Sequence, residues 1–435
     1  MKKRVMTYLL VGILLSTSVV GCAEYQAAPD DSGPISIVQV EAMPLLNPRS
    51  EGNPSAQAVA HGANDFAFRL SAALVQDIDD ENFVFSPYSV WLPLAALLNA
   101  TGEAYQQALL TALGASGISV ADVNQAASRM LFDLTNEGNR EHFGDDHRDP
   151  LHIANAIFVD HDVTLQRAFA QDFMDFFRGT VIHVDFQSPD AVDAVNTWAS
   201  DHTEGLITDM IEKFDPDTVA AIANAIYFSD GWARDFDPTQ TVERTFYAPS
   251  GETSAYFMQR VGRDQLYFED ETLQAIHLQF ETGGSISILL PRSGDAVELL
   301  SSMTSESFGY IHRNATLREG RLLLPRFSFE STHELDEVLT ALGVPLFDET
   351  TMPLTGLIYE APAWLLSAVQ KAVIEVDEQG ATAAAVTVME AAPESVPEPL
   401  EQFEMICDRP FVFVLHRQTT DGGNQILFTG VVNQP

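Results

Sequence analysis

The chain has 435 residues, 46% of them hydrophobic, with a mean hydropathy of zero. That is enough apolar material for one large domain or two to three ordinary ones. Lys and Arg number 23 against 62 Asp and Glu, a net charge of −39, and the only lysines are Lys2, Lys3, Lys213 and Lys371. A surface of that sign repels phosphate backbones and sulfated polysaccharides, which argues against nucleic-acid and heparin-type partners and suits solubility, as in a saline habitat.

Lys2, Lys3 and Arg4 precede an apolar run from Tyr8 to Val20, the pattern of an export leader. It closes with Val19-Val20-Gly21-Cys22, which resembles a bacterial lipobox. That resemblance implies cleavage by signal peptidase II and lipidation of Cys22, making residues 1–22 a lipoprotein signal ending in its anchor. An ordinary signal peptide cut near Ala23 is the alternative. Several acyl chains on one cysteine hold a protein stably to a bilayer. Ala23 follows the cysteine where an Asp would favour inner-membrane retention, so the expected location is the outer membrane or the cell surface. No later segment is long and apolar enough to cross a membrane.

Residues 23–58 carry Pro29, Pro34, Pro44, Pro48 and Pro54 and read as a flexible tether, in which only Ile35 to Val40 could pair with something. A folded domain is expected from 59 to 435. Asn64 to Gln76 has helical spacing, with Phe66, Leu70 and Leu74 on one face. Asn82 to Pro87 is a short strand stopped by proline, and Ser89 to Asn99 reads as a buried helix. Leu151 to Val159, Ala220 to Phe228, Ser285 to Leu290, Arg321 to Leu324 and Ala372 to Val376 are strand-like. Leu165 to Phe177 and Ala191 to His202 are helical between them. Helices come mainly early and strands mainly late, which favours an α+β fold over alternating βαβ units.

No enzyme chemistry stands out. The chain has no GxSxG elbow, P-loop, GxGxxG or CxxC pair. Glu141, His142, Asp145, Asp146, His147 and His152 are a local group of ligand-type residues, but without HExxH or tetrahedral spacing they read as a solvated acidic loop. No metal and no cofactor is expected. Cys407, inside an apolar run, reads as a small core residue.

The most informative stretch is Glu378-Gln379-Gly380-Ala381-Thr382-Ala383-Ala384-Ala385-Val386-Thr387. It has almost no bulk to bury as a core helix, yet such small side chains could slide between two existing strands. If Ala381 faces inward in such a strand, so do Ala383, Ala385, Thr387, Met389 and Ala391, none of them charged. Glu390 falls on the opposite face.

Several segments together resemble the serpins, the suicide inhibitors of proteases. Met405 to Leu415 is similar to the family's C-terminal signature, and Leu427 to Asn433 to its closing strand. Asn224 to Phe228 with Gly231-Trp232 resembles the central-sheet strand leading to the "breach". Asn82 to Pro87 with Ser89 resembles the start of the helix beneath that sheet. Leu322 to Phe329, Leu342 to Val344 and Leu354 to Gly356 match further stretches in the family's order, so the resemblance spans roughly residues 60 to 435.

The resemblance implies a serpin fold, with three β-sheets, eight to nine helices and an exposed reactive-centre loop at about 378–404. It implies a monomeric inhibitor without enzyme activity whose partner is a serine or cysteine protease. Glu378, Gly380 and the small residues Ala381 to Thr387 then fall on the hinge. Family spacing puts the scissile bond at Glu394-Ser395, which suits a Glu-specific protease, with an elastase-like enzyme as the alternative. The "shutter" would be Gln370 with Ser86, Ser89 and Asn224. Two departures from the family are Ala381, where Thr or Ser is common, and Gln370, where His is common. An amide can donate and accept like neutral imidazole, but it removes any pH response. A non-inhibitory binding or scaffold protein on the same fold is the competing expectation.

Overall fold

The computed structural model describes residues 9–19, 36–38, 45, 55–135, 150–293, 295–380, 400–419 and 423–435. Its first sheet has seven strands. In spatial order they are β12 (Phe327–Glu334), β13 (Ala363–Val376), β1 (Leu9–Val19), β6 (Thr218–Phe228), β4 (Leu151–Asp160), β5 (Gly179–Val184) and β2 (Ser36–Val38). The second strand system runs β14 (Gln402–Ile406), β11 (Thr316–Pro325), β8 (Gly251–Glu269), β9 (Leu273–Gln279), β10 (Gly284–Pro291), β15 (Phe411–Gln418), β16 (Asn424–Val432) and β3 (Phe83–Phe85), with β7 (Val242–Ala248) beside β8. β8 belongs to two sheets at once: it pairs with β7 at its start, with β11 through its middle and with β9 at its end. Counting that shared strand in both gives the three sheets expected.

Nine α-helices occur among the described residues: α1 (Ala56–Leu74), α2 (Pro87–Leu97), α3 (Glu103–Ala112), α4 (Val120–Leu134), α5 (Arg167–Phe177), α6 (Asp190–Asp201), α7 (Ala296–Ser302), α8 (Ser305–Asn314) and α9 (Asp336–Ala341). α2 is apolar all round, so it must be buried on every side, and every one of its residues is. It starts at Pro87, two residues before the expected Ser89: the Ser86 side chain caps it, and Pro87 occupies the first turn, where a missing N–H costs nothing. The main core fills the space between the sheets and around α1, α2 and α4, and Cys407 lies buried within it. A second core joins one face of β4, β5 and β6 to α6, with Trp198 edge-on to Phe158.

The feature that positions the site is β1. The apolar run read as a leader lies between β6 and β13, antiparallel to both, across eleven residues. β6 and β13 are therefore parallel to each other, and the strand between them satisfies both ladders. Two points of the expected tether also meet the domain. Ser36–Val38 add the edge strand β2 against β5, and Leu45 is buried.

One close approach sets the packing of α1. Gly62 crosses Gly114 backbone to backbone, and a Cβ on Gly62 would overlap the Gly114 carbonyl; Gly114 itself has a φ of +76°. Gly62→Val is expected to lower stability by about 1–3 kcal/mol, read as a lower urea midpoint at unchanged slope. An unshifted midpoint would show that the two segments separate freely.

Candidate functional site

The site is the slot between β6 and β13 with two polar clusters, one at its upper end and one midway. At the upper end β13 runs out at Val376, and Glu378 turns inward. The Glu378 side chain is 5% exposed, and Arg326 clamps it through Nε at 2.8 Å and Nη2 at 2.6 Å. The Thr241 hydroxyl donates to the same carboxylate oxygen. Burial works against the charge of Glu378, but these hydrogen bonds outweigh it and hold the carboxyl below its usual range. The backbone is fixed as well: Phe236 N–H donates to the Glu378 carbonyl at 3.1 Å, and Gly380 bridges to Gly231. Gly380 has a φ of +63° and lies against the backbone of Gly231 and Trp232, so no side chain fits there.

Trp232 is the wall of this end. It is buried, donates its indole N–H to the Asp377 carbonyl at 2.9 Å and stacks on Phe280 with centroids 4.7 Å apart. The Arg260 guanidinium sits 4.1 Å over the Phe236 ring, extending the stack with a cation. Asp230, just before the Gly-Trp pair, is buried and accepts from both the Thr282 hydroxyl and the Thr282 N–H. Burial pushes its carboxyl up to about 6, against the opposing pull of Thr282, Arg417 and the Gly231 N–H.

The second polar cluster lies midway along the slot. Gln370 on β13 is fully buried; its Oε1 accepts from Ser86 N–H at 3.0 Å, while its Nε2 donates to the Ser86 carbonyl at 2.7 Å and to Ser89 Oγ at 3.0 Å. Ser86 Oγ donates to the Leu427 carbonyl at 2.7 Å, tying the start of α2 to β16. Gln370 thus joins Ser86 and Ser89. Asn224 does not join them: β1 separates the two strands, with Ile13 opposite Gln370 on one side and Asn224 on the other. The Asn224 amide donates instead to Asn155 Oδ1 at 2.7 Å, and its own Oδ1 has no hydrogen-bond partner. A side chain placed to reach across a narrower gap is left short by a full strand width.

Asp230, Arg326, Thr241 and His333 were not visible as site residues in the sequence. His333 on β12 pairs with Gln370 in register, and its Nε2 lies 3.0 Å from the Val84 carbonyl. It returns an imidazole to the neighbourhood of the amide, though burial holds its pKa down. Only alternation could have pointed to these residues, and their partners are far apart in the chain. Cys22 and residues 381–399, with Ala381, Thr382, Ala383, Ala384, Ala385, Val386, Thr387, Glu394 and Ser395, lie outside the described residues.

Asp230 gives the site a pH signature. Its folded pKa lies above the unfolded value, so the folded chain holds a proton that the unfolded chain has released between about pH 4 and pH 6. Stability from this group is present at low pH and is lost as pH rises through that window, by on the order of 3 kcal/mol. Asp230→Asn should remove this component, so the difference in thermal midpoint between variant and parent should grow from pH 4 to pH 6. A constant difference would mean that the carboxyl titrates normally.

A family model described as "Serpin (serine protease inhibitor)" matches residues 61–435. Similar curated proteins include an alpha-1-antiproteinase of Callosciurus caniceps, 29% identical over 88% of this chain and 90% of that protein. Another is alpha-1-antitrypsin 1-3 of Mus musculus, 30% identical over 89% of this chain and 92% of that protein. Among solved structures, the native state of the thermophilic serpin tengpin superposes with a TM-score of 0.76 at 23% identity, covering 93% of this chain and all of that one. The complex of human thyroxine-binding globulin gives 0.73 at 22% identity, covering 88% and 99%.

Proposed function

Because the chain belongs to the serpin family, we propose that it is an irreversible suicide inhibitor of serine or cysteine proteases. The protease attacks the Glu394 carbonyl, the Ser395 amine leaves, and Glu394 remains esterified to the enzyme's nucleophile. Residues 381–394 then enter the slot between β6 and β13 and carry the bound enzyme with them.

The observation that supports this most is the slot itself. It takes an eleven-residue strand hydrogen-bonded on both sides, and residues 381–394 are long enough to span it. About ten new backbone hydrogen bonds at roughly 0.5–1.5 kcal/mol each amount to a gain on the order of 10 kcal/mol, comparable to the stability of a whole domain. The Glu378 clamp anchors the point from which the loop must swing, and Gly380 supplies the turn beside Trp232.

The occupant of the slot here is β1; with that segment as a cleavable leader, export and insertion are linked. Cleavage before Cys22 removes β1 and leaves the slot free for the loop. In this reading the precursor is a protease substrate, and the lipid-anchored mature chain is the inhibitor, held at the outer membrane or cell surface. The Glu394 position favours a Glu-specific protease.

A trapping assay tests the mechanism. The mature domain incubated with a Glu-specific serine protease should give an SDS-stable complex, and loop-cleaved protein should melt at a much higher temperature than intact protein. Ala383→Glu places a charge on the inward face, where burial costs several kcal/mol; it should cut complex formation about tenfold while leaving cleavage intact. A loop that is cut by every protease tried without trapping, and without a rise in melting temperature, would instead support a non-inhibitory binding protein. For the anchor, Cys22→Ser should abolish incorporation of a labelled fatty acid in a lipoprotein-processing host. Incorporation that persists in the variant would place the lipid elsewhere.

A further inference from the structure

Three histidines that the slot does not use converge in the second strand system. His277 lies on β9, His416 on β15 and His312 on α8, and one ring nitrogen from each falls within 4.8 Å of the others. His277 and His416 are buried, at 4% and 1% exposure, and His312 is half-buried. Ser287 on β10 sits between the first two, with Oγ at 2.6 Å from His277 Nδ1 and 2.9 Å from His416 Nε2.

The remaining nitrogens are the informative ones. His277 Nε2, His312 Nδ1 and His416 Nδ1 have no hydrogen-bond partner. The Asn424 side chain interacts with the His416 ring, while His416 Nδ1 itself has no hydrogen bond. A buried polar nitrogen left unpaired is costly, and each of the three clustered rings carries one. A hydroxyl oxygen has two lone pairs, so Ser287 can accept from both neighbouring ring N–H groups. That tautomer pair leaves the lone pairs of His277 Nε2 and His416 Nδ1 free.

The geometry points to a site for a divalent transition-metal ion, with His277, His312 and His416 as its ligands and Ser287 orienting two of them. Three imidazoles suit zinc, which takes four ligands at about 2.0–2.1 Å and leaves the fourth position to water. Small side-chain rotations would bring the three nitrogens to the spacing of about 3.3 Å that such a tetrahedron sets. Two clefts reach the cluster. One of about 300 Å³ between α1 and α8 is lined by His312, and one of about 310 Å³ is lined by His277, so an ion and its water have paths in. The Arg313 charge near His312 opposes a cation locally, while the net charge of −39 attracts one from solution. A bound ion would staple α8 to β9 and β15, far in sequence from the slot.

The test is titration of chelator-stripped protein with zinc alone, followed by calorimetry and thermal melting. One equivalent should bind and raise the melting temperature. Cobalt in its place should give the strong visible absorption of a four-coordinate, nitrogen-ligated ion. His312→Ala removes a half-buried side chain from a surface helix; its affinity for zinc should fall about tenfold or more. Ser287→Ala should weaken zinc by about tenfold with the ligands all present. If the parent and His312→Ala titrate alike, or cobalt shows only the weak spectrum of the hydrated ion, the three histidines are a neutral packing cluster and the assignment is wrong.

Discussion

Every backbone N–H and C=O along the facing edges of β6 and β13 must be paired, because both strands are buried in the middle of a sheet. Two solutions exist: the strands close on each other, or a third strand enters antiparallel to both. This chain adopts the second, with β1 as the third strand. Gln370 and Asn224 sit at equivalent heights on opposite walls, each opposite Ile13. Gln370 is satisfied by Ser86 and Ser89, whereas Asn224 satisfies its amide N–H groups on Asn155 and Ala154 and leaves its Oδ1 unpaired.

The two polar clusters of the slot differ in kind. Glu378 is held by charge-assisted hydrogen bonds from a single arginine, the stronger class of contact. Gln370 is held by neutral bonds in a fully buried network, where satisfaction of every member matters more than the strength of any one. About 26 Å of strand separates them, at roughly 3.3 Å per residue. Loss of the charged clamp frees a hinge. Loss of the amide network unseats α2 from beneath the sheet.

Much of this was legible in the chain, and for clear reasons. β6, β10 and β13 are runs of apolar and alternating residues, and α2 is a continuous apolar run. Gly380 was named through the family's hinge pattern, and its positive φ beside Trp232 supplies the physical reason. What was hidden were contacts made by tertiary closure. Arg326 and Thr241 carry no local sign that they meet Glu378, and nothing near Asp230 says it will be buried. The histidine cluster was invisible for the same reason: positions 277, 312 and 416 share no spacing, whereas the ligand-type residues that do group in sequence lie around His142 and His147. The leader was read for its composition alone, and composition does not reveal that an apolar eleven-residue run also fits a sheet.

The pairing of β3 with β16 has a consequence for how the molecule is made. Phe83, Val84 and Phe85 lie against Thr429, Gly430 and Val431, and the Ser86 hydroxyl reaches the Leu427 carbonyl. An early part of the domain thus waits for β16 to leave the ribosome. Contacts of such long sequence separation form slowly, because the whole intervening chain must be gathered first. Until β16 arrives, the apolar helix α2 lacks its contacts with that strand. Loss of β16 would therefore disable a region that was translated first.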